Sequence, residues 1–172
     1  MQLMLSQPQA YRDFFSYIRW ADEAQLAAAQ TLSDEAYFRK HGFSFGTVHG
    51  LLLHMMSAME VWRRRFEGET ATWMGDHPEL QSDRAALVTA WKGVHERFDR
   101  FLAAQTEESL ARVVNFKNMK GEPYSAPLWR LLTHACNHST IHRAQLNSML
   151  KLSGLAQTPM VDYSSWYFAT QR

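Results

Sequence analysis

His134-Ala135-Cys136-Asn137-His138-Ser139-Thr140-Ile141-His142-Arg143-Ala144-Gln145 places three histidines at four-residue steps. An α-helix turns about 100° and rises about 1.5 Å per residue, so residues four apart share a face, about 6 Å apart along the axis. Two neutral imidazoles placed that way, His138 and His142, can share one divalent cation. They cannot complete a site alone, and His54 is the candidate third ligand. The same helix face carries Leu131, His134, Ala135, His138, His142, Gln145, Leu146 and Met149. That is the apolar stripe expected to face a core. A buried imidazole without partners on its nitrogens costs about 1–3 kcal/mol. A metal on one nitrogen and a hydrogen-bond acceptor on the other removes that cost. The alternative is a set of ordinary core histidines bonded to one another or to carbonyls. Three in register, with a fourth on another buried stripe, favour the metal.

Working outward, the pattern is mostly helical. Gln7–Gln30 carries Tyr11, Phe14, Phe15, Ile18, Gln25 and Leu26 near one face, with Pro8 in the first turn. Ser33-Asp34-Glu35 suggests a short helical turn, and His41–Gly46 a loop broken by its glycines. A second helix is expected from Thr47 to Glu67, stopping at Gly68. Its inward stripe is Leu51, His54, Met55, Ala58, Val61 and Trp62. Glu69–Leu80 reads as a long loop. Ser82 is the expected N-cap of a third helix reaching Gln105, with Leu87, Val88, Trp91, Val94, Phe98, Phe101 and Leu102 inward. Val113–Ser125 reads as a short hairpin or an extended connection. The fourth long helix is expected from Ala126 to Lys151, with Pro127 in its first turn and Gly154 past its end. The aromatic tail Thr158–Arg172 has no clear assignment. Four long helices predict an all-α four-helix bundle, a single domain over 1–172, with a short hairpin before the last helix. Bundle metal sites come from facing helices, so His54 would meet His138 and His142 if the second and fourth helices are neighbours.

The bulk composition narrows the function. At 172 residues, with 46% hydrophobic and 13% aromatic residues, the chain is globular and long enough for a real core. Eighteen basic side chains against 17 acidic ones give a net charge of +1, which offers no electrostatic case for nucleic acid or a membrane surface. Arg63-Arg64-Arg65 is the one basic cluster and reads as a solvated helix end. There is no 18-residue apolar span and no signal-peptide pattern at Met1–Ala10. One cysteine, Cys136, excludes an internal disulfide and a Cys-rich zinc motif. The expected compartment is intracellular and cytoplasmic.

Carboxylate di-iron bundles need Glu-x-x-His pairs, and no glutamate here has His three residues later. His95-Glu96 reads as a surface pair. Three neutral His ligands leave the ion its full charge, and an unfilled position is the pattern of catalytic zinc. Such an ion polarises a carbonyl or lowers the pKa of water or thiol. Imidazole also suits nickel, iron and copper. His134 is read as lining the pocket rather than ligating, and His49, about 140° round from His54, as non-ligating. Gln145 lies on the ligand side, where it could bond to bound water. Tyr124 is read as a packed aromatic that could supply a hydroxyl. Cys136, about 200° round from both His134 and His138, is read as inert core.

Three stretches carry a family resemblance: Tyr17-Ile-Arg-Trp20-Ala-Asp-Glu23, Ser44 to His54, and Lys120 to Gln145 with its Pro-Leu-Trp helix entry and His-x-x-x-His pair. Together they resemble the DinB (damage-inducible) family of four-helix metalloenzymes over nearly the whole chain. The family's metal triad falls on His54, His138 and His142. The resemblance implies a crossover order of helices, frequent homodimers, and one divalent ion per chain, commonly zinc or nickel. Relatives in the wider superfamily include thiol-dependent S-transferases and a thiol-dependent isomerase. It therefore implies a metal-dependent transferase or hydrolase, with a low-molecular-weight thiol and a small electrophilic substrate as partners. The competing expectation is a metal-binding stress or structural protein without turnover.

Overall fold

A computed structural model describes residues 7–69, 71, 73–118 and 120–171. Of the Met1–Ala10 stretch, residues 1–6 therefore lie outside the described residues, as do 70 and 72 of the Glu69–Leu80 loop and 172 of the tail. Four long helices dominate: α1 (Gln7–Gln30), α3 (Val48–Phe66), α4 (Arg84–Ala103) and α6 (Leu128–Leu152). Short elements join them: α2 (Asp34–Tyr37), two 3₁₀ turns (Met74–Asp76 and Pro78–Gln81), α5 (Glu107–Ala111), β1 (Val113–Lys117), β2 (Pro123–Pro127) and α7 (Tyr163–Thr170). The fold is all-α apart from this one hairpin.

Packing runs round a square. α1 packs on α4 and α6, and α3 packs on the same two helices. Consecutive long helices α1 and α3 therefore sit at opposite corners, as do α4 and α6, which is the expected crossover order. The chain crosses the first diagonal through α2 and the 41–46 loop. It crosses the second through α5 and the hairpin, where β1 pairs antiparallel with β2 from Val113↔Pro127 to Lys117↔Pro123. α3 and α6, which carry the histidines, are direct neighbours. One buried cluster gathers Leu51, Leu52, Met56, Trp91, Leu146 and Leu150, and a second gathers Phe15, Ile18, Phe66, Phe98, Leu128 and Leu132.

Local chemistry sets the ends. Thr47 Oγ1 accepts from the Gly50 N–H and caps α3. Gly68 follows α3 at φ +76°, the left-handed geometry that glycine tolerates without strain. The cap of α4 is Asp83, not Ser82: its Oδ1 accepts from the N–H groups of Ala85 and Ala86 at 2.8 and 3.0 Å. Ser82 instead closes the preceding 3₁₀ turn. β2 runs through Pro127, so α6 starts at Leu128, two residues later than the sequence suggests. The tail forms α7, whose Tyr163 and Trp166 pack against Tyr17 of α1.

Three side-chain expectations are overturned. His95 is not on the surface; it is 4% exposed, and its Nε2 accepts from Trp91 Nε1–H at 3.0 Å and lies 3.3 Å from Asp22 Oδ2. Arg63 and Arg65 are buried, so Arg63–Arg65 is not a solvated helix end. Arg63 is neutralised by Glu60, itself buried one turn earlier, at 2.9 Å. The third concerns α6. Its buried residues are Leu128, Leu131, Leu132, Cys136, Arg143, Leu146, Met149 and Leu150. The stripe is centred about 80° from the one expected. Leu128, Leu132, Cys136, Leu150 and the charged Arg143 account for the difference. A charged residue reads as solvent-facing, yet this one is buried, donating to Ser139 Oγ at 2.6 Å and Thr140 Oγ1 at 3.1 Å, over the ring of Tyr17.

Candidate metal centre

Because the core stripe of α6 lies elsewhere, the three histidines of the motif fan out from its edge. Each four-residue step turns the helix about 40° beyond a full circle. His142 and His138 flank the buried stripe and are half-buried; His134, a further step round, is exposed. His54, also half-buried, projects from α3 toward them. His54 and His142 Nε2 atoms are 3.2 Å apart, and those of His142 and His138 are 3.1 Å apart. One ligand atom from each of the three lies within 4.8 Å of the others.

The chemistry of these contacts fits a cation. A tetrahedral zinc with bonds of about 2.0–2.1 Å holds its nitrogens about 3.3 Å apart. Gln145 Oε1, an acceptor only, is 2.7 Å from His142 Nδ1. The proton therefore sits on Nδ1, and Nε2 presents its single lone pair toward the other two rings. One lone pair cannot accept well from two Nε2–H groups. Three lone pairs converging on one positive charge satisfy all three nitrogens. Burial lowers the pKa of His54 to about 3 and that of His138 to about 4, and the neighbouring imidazoles push the same way. Both rings are neutral donors at physiological pH.

Two loops wall the site. Phe45 stacks on the His54 ring at 3.6 Å between centroids and 15° between planes. Trp73 lies 5.5 Å from the same ring. The 41–46 loop reaches this position because Gly50 lets it approach; a Cβ there would meet Phe45 O at 2.5 Å. Ser44, at φ 52°, donates to Gln145 Oε1 at 3.1 Å and ties the loop to the ligand helix. Sequence reasoning missed Phe45 and Trp73, since aromatic residues in loops carry no periodic signal.

The remaining candidates separate cleanly. His134 stands outside the ligand group, with its ring 4.9 Å from Trp62 and 5.8 Å from His138. His49 is buried against Leu80 O at 2.8 Å, facing away from the centre. Gln145 belongs to the site as the partner of His142 itself. Tyr124 is exposed on the hairpin and stacks on Phe116 at 5.9 Å. Cys136 is buried on the core side of α6, which raises its thiol pKa to about 12. His95 is sealed in the core with Trp91 and Asp22, remote in role from the cluster.

Known proteins place the chain. The sequence pattern of the DinB family matches residues 4–172. Protein DinB of Bacillus subtilis (strain 168) is 26% identical over 165 residues, spanning 91% of this chain and 93% of that protein. A crystal structure of a DinB-like protein from Bacillus cereus ATCC 10987 superposes with a TM-score of 0.66 at 20% identity, covering 87% of this chain and 95% of that one. A DinB-like protein from Bacillus subtilis gives 0.65 at 16% identity, covering 87% and 97%. The chain belongs to the DinB family.

Proposed function

We propose that this DinB-family chain is a divalent-metal-dependent enzyme. His54, His138 and His142 hold one zinc or nickel ion per chain, and a small external thiol reacts with an electrophile at the open side. The observation that carries this reading is the convergence of three Nε2 atoms, one of them fixed as a lone pair by Gln145. A bound ion supplies a positive charge that favours thiolate at neutral pH. The protein does the positioning. Gln145 holds the His142 tautomer, Phe45 fixes the His54 ring plane, and Phe45 with Trp73 offers an apolar wall to the carbon skeleton of a substrate. The thiol must come from outside, because Cys136 is buried on the opposite side of α6 with its pKa raised to about 12.

No helix among the described residues is long and apolar enough to cross a membrane. An unpaired buried cysteine suits a reducing, cytoplasmic compartment. The chain is further proposed to work as a homodimer. Met160, Tyr167 and Phe168 are exposed at and before α7, a surface suited to a second copy. Light scattering at low micromolar concentration checks this; a mass at the chain's own 19.9 kDa rejects it.

Elemental analysis tests the metal assignment. About one ion per chain is expected, and equal content in His138→Ala after the same purification overturns it. Cobalt substitution tests the chemistry. A sulfur-to-metal charge-transfer band should appear with small thiols and persist in Cys136→Ser. A spectrum indifferent to every thiol rejects the transferase reading in favour of either a metal-hydroxide hydrolase or a non-catalytic site.

A further inference from the structure

Arg65 is a buried cation without a counter-charge. It lies in the last turn of α3, 9% exposed, and its Nε has no hydrogen-bond partner. Its neighbours Arg63 and Arg64 both pair with Glu60, whereas Arg65 has no ion pair among the described residues. Burial holds its guanidinium below its ordinary pKa, with no carboxylate pulling the other way. What covers it is aromatic: its Cζ lies 4.8 Å from the Trp62 ring centroid and 5.2 Å from that of Phe116. Ring faces recover part of the lost hydration, but they cannot accept the planar fork of N–H groups. A desolvated guanidinium of this kind is matched by a carboxylate or phosphate oxygen pair.

The space for such a group is present. Arg65 lines a cavity of about 660 Å³ between the end of α3 and the hairpin, which Asn115, Lys117, Asn118 and Tyr124 also line. That volume suits a small molecule. Glu69 lines it too, but its carboxylate is turned to Arg63 and Arg64, at 3.8 and 3.9 Å. The cavity also relates to the three-histidine centre. Arg65 follows His54 by eleven residues, about three turns, so both lie within about 20° of one helix face and about 16 Å apart along the axis. Two aromatic rings stand between them, along which a substrate would have to lie: His134 is 5.8 Å from His138, and Trp62 is 4.9 Å from His134 and stacks under Arg65.

We infer that Arg65 anchors an acidic group, carboxylate or phosphate, at the far end of an elongated substrate whose reacting end sits at the three-histidine centre. Placing the reacting end rests on the metal-site reading above; the anion subsite stands without it. The substrate class is thus narrowed to molecules with a negative charge well separated from the reacting atom. Arg65 acts on that charge and touches no reacting atom, so it sets affinity and specificity rather than chemistry.

The test is an NMR titration of the full-length, ¹⁵N-labelled protein, zinc-loaded and zinc-free, with sodium phosphate and with succinate at fixed ionic strength. The reporter is the Trp62 indole N–H, assigned with Trp62→Phe. A saturable shift is expected; phosphate alone would name a phosphate ester and succinate alone a carboxylate. Arg65→Met, which keeps the apolar stem over Trp62, should weaken binding roughly tenfold or more. Arg65→Lys, which keeps the charge without the fork, should weaken it less and decides the question if the Met variant does not fold. No shift with either anion, or an equal shift in the Arg65 variants, overturns the anchor. An Arg65-dependent shift in a protein that takes up no zinc leaves the anion subsite standing and removes only its link to a metal.

Discussion

His142 and His95 show two ways of keeping imidazole inside one bundle. His95 is sealed: Trp91 donates to its Nε2, and Asp22, itself 2% exposed, lies beside it. Arg143 completes that buried set, 3.9 Å from Asp22 and bonded to Ser139 and Thr140. This set is buried, with Asp22 Oδ1 left without a hydrogen bond, and it ties α1, α4 and α6 together. His142 is supplied on one side only. Gln145 Oε1 accepts from its Nδ1–H, and its Nε2 faces two more imidazole nitrogens at the open edge. The difference teaches where to look for chemistry. His95 is enclosed by partners of other kinds, whereas Nε2 of His142 meets only other imidazoles, the arrangement that could hold an ion.

Deleting groups from each region should give opposite signatures. The largest effect is expected from His54→Ala, which removes a ligand: metal binding falls below detection in a chelator competition, while the fold persists by circular dichroism. Retained stoichiometric metal would erase the distinction. Asp22→Ala should do the reverse. Removing one partner of a buried charged set destabilises by about 3–5 kcal/mol, read in urea unfolding, with metal content per folded chain unchanged. A smaller effect follows from Gln145→Leu, which frees the His142 tautomer without touching a ligand. Metal affinity should drop about 10–100-fold, and an unchanged affinity would show that Gln145 does not set the lone pair.

The smallest effect is a pH dependence at a third histidine. Burial lowers the pKa of His49 below its ordinary 6.5, against the opposing pull of the Leu80 carbonyl it bonds. The unfolded chain therefore takes up the proton first, so this contribution is intact above pH 6.5 and lost as pH falls through and below that value. The urea midpoint should drop between about pH 7 and about pH 5. His49→Gln should reduce that slope, the remainder coming from His54 and His138, and a slope identical to the wild type would assign it wholly elsewhere.

Much of this was legible in the residues. The four long helices, the hairpin and the triad all follow from periodicity, turn residues and the spacing of His138 and His142. What escaped depends on neighbours the sequence does not display. Arg143, Arg65 and His95 read as surface residues because their charge is written in the sequence and their compensation is not. The core face of α6 holds Leu132, Cys136, Arg143 and Leu150, on the far side of the stripe from His134, which is exposed. Asp83 displaced Ser82 as a cap because its oxygen reaches two N–H groups at once. The walls of the site lie in loops, where close approaches, Phe45 to Gly50 and Trp73 to Gly75, carry no periodic signal.

The diagonal placement of consecutive helices also governs when the site comes into being. His54 and His142 lie 88 residues apart in sequence and meet only where α3 docks on α6. Closing a chain loop of that length is entropically slow, so the triad forms late in folding, after local helices have been made. A chain still emerging from synthesis carries His54 for more than half its length without a partner. An ion that recognises only the finished bundle stabilises it by mass action alone. Under the proposed metal reading, uptake would then serve as a record that the last long helix has arrived and docked.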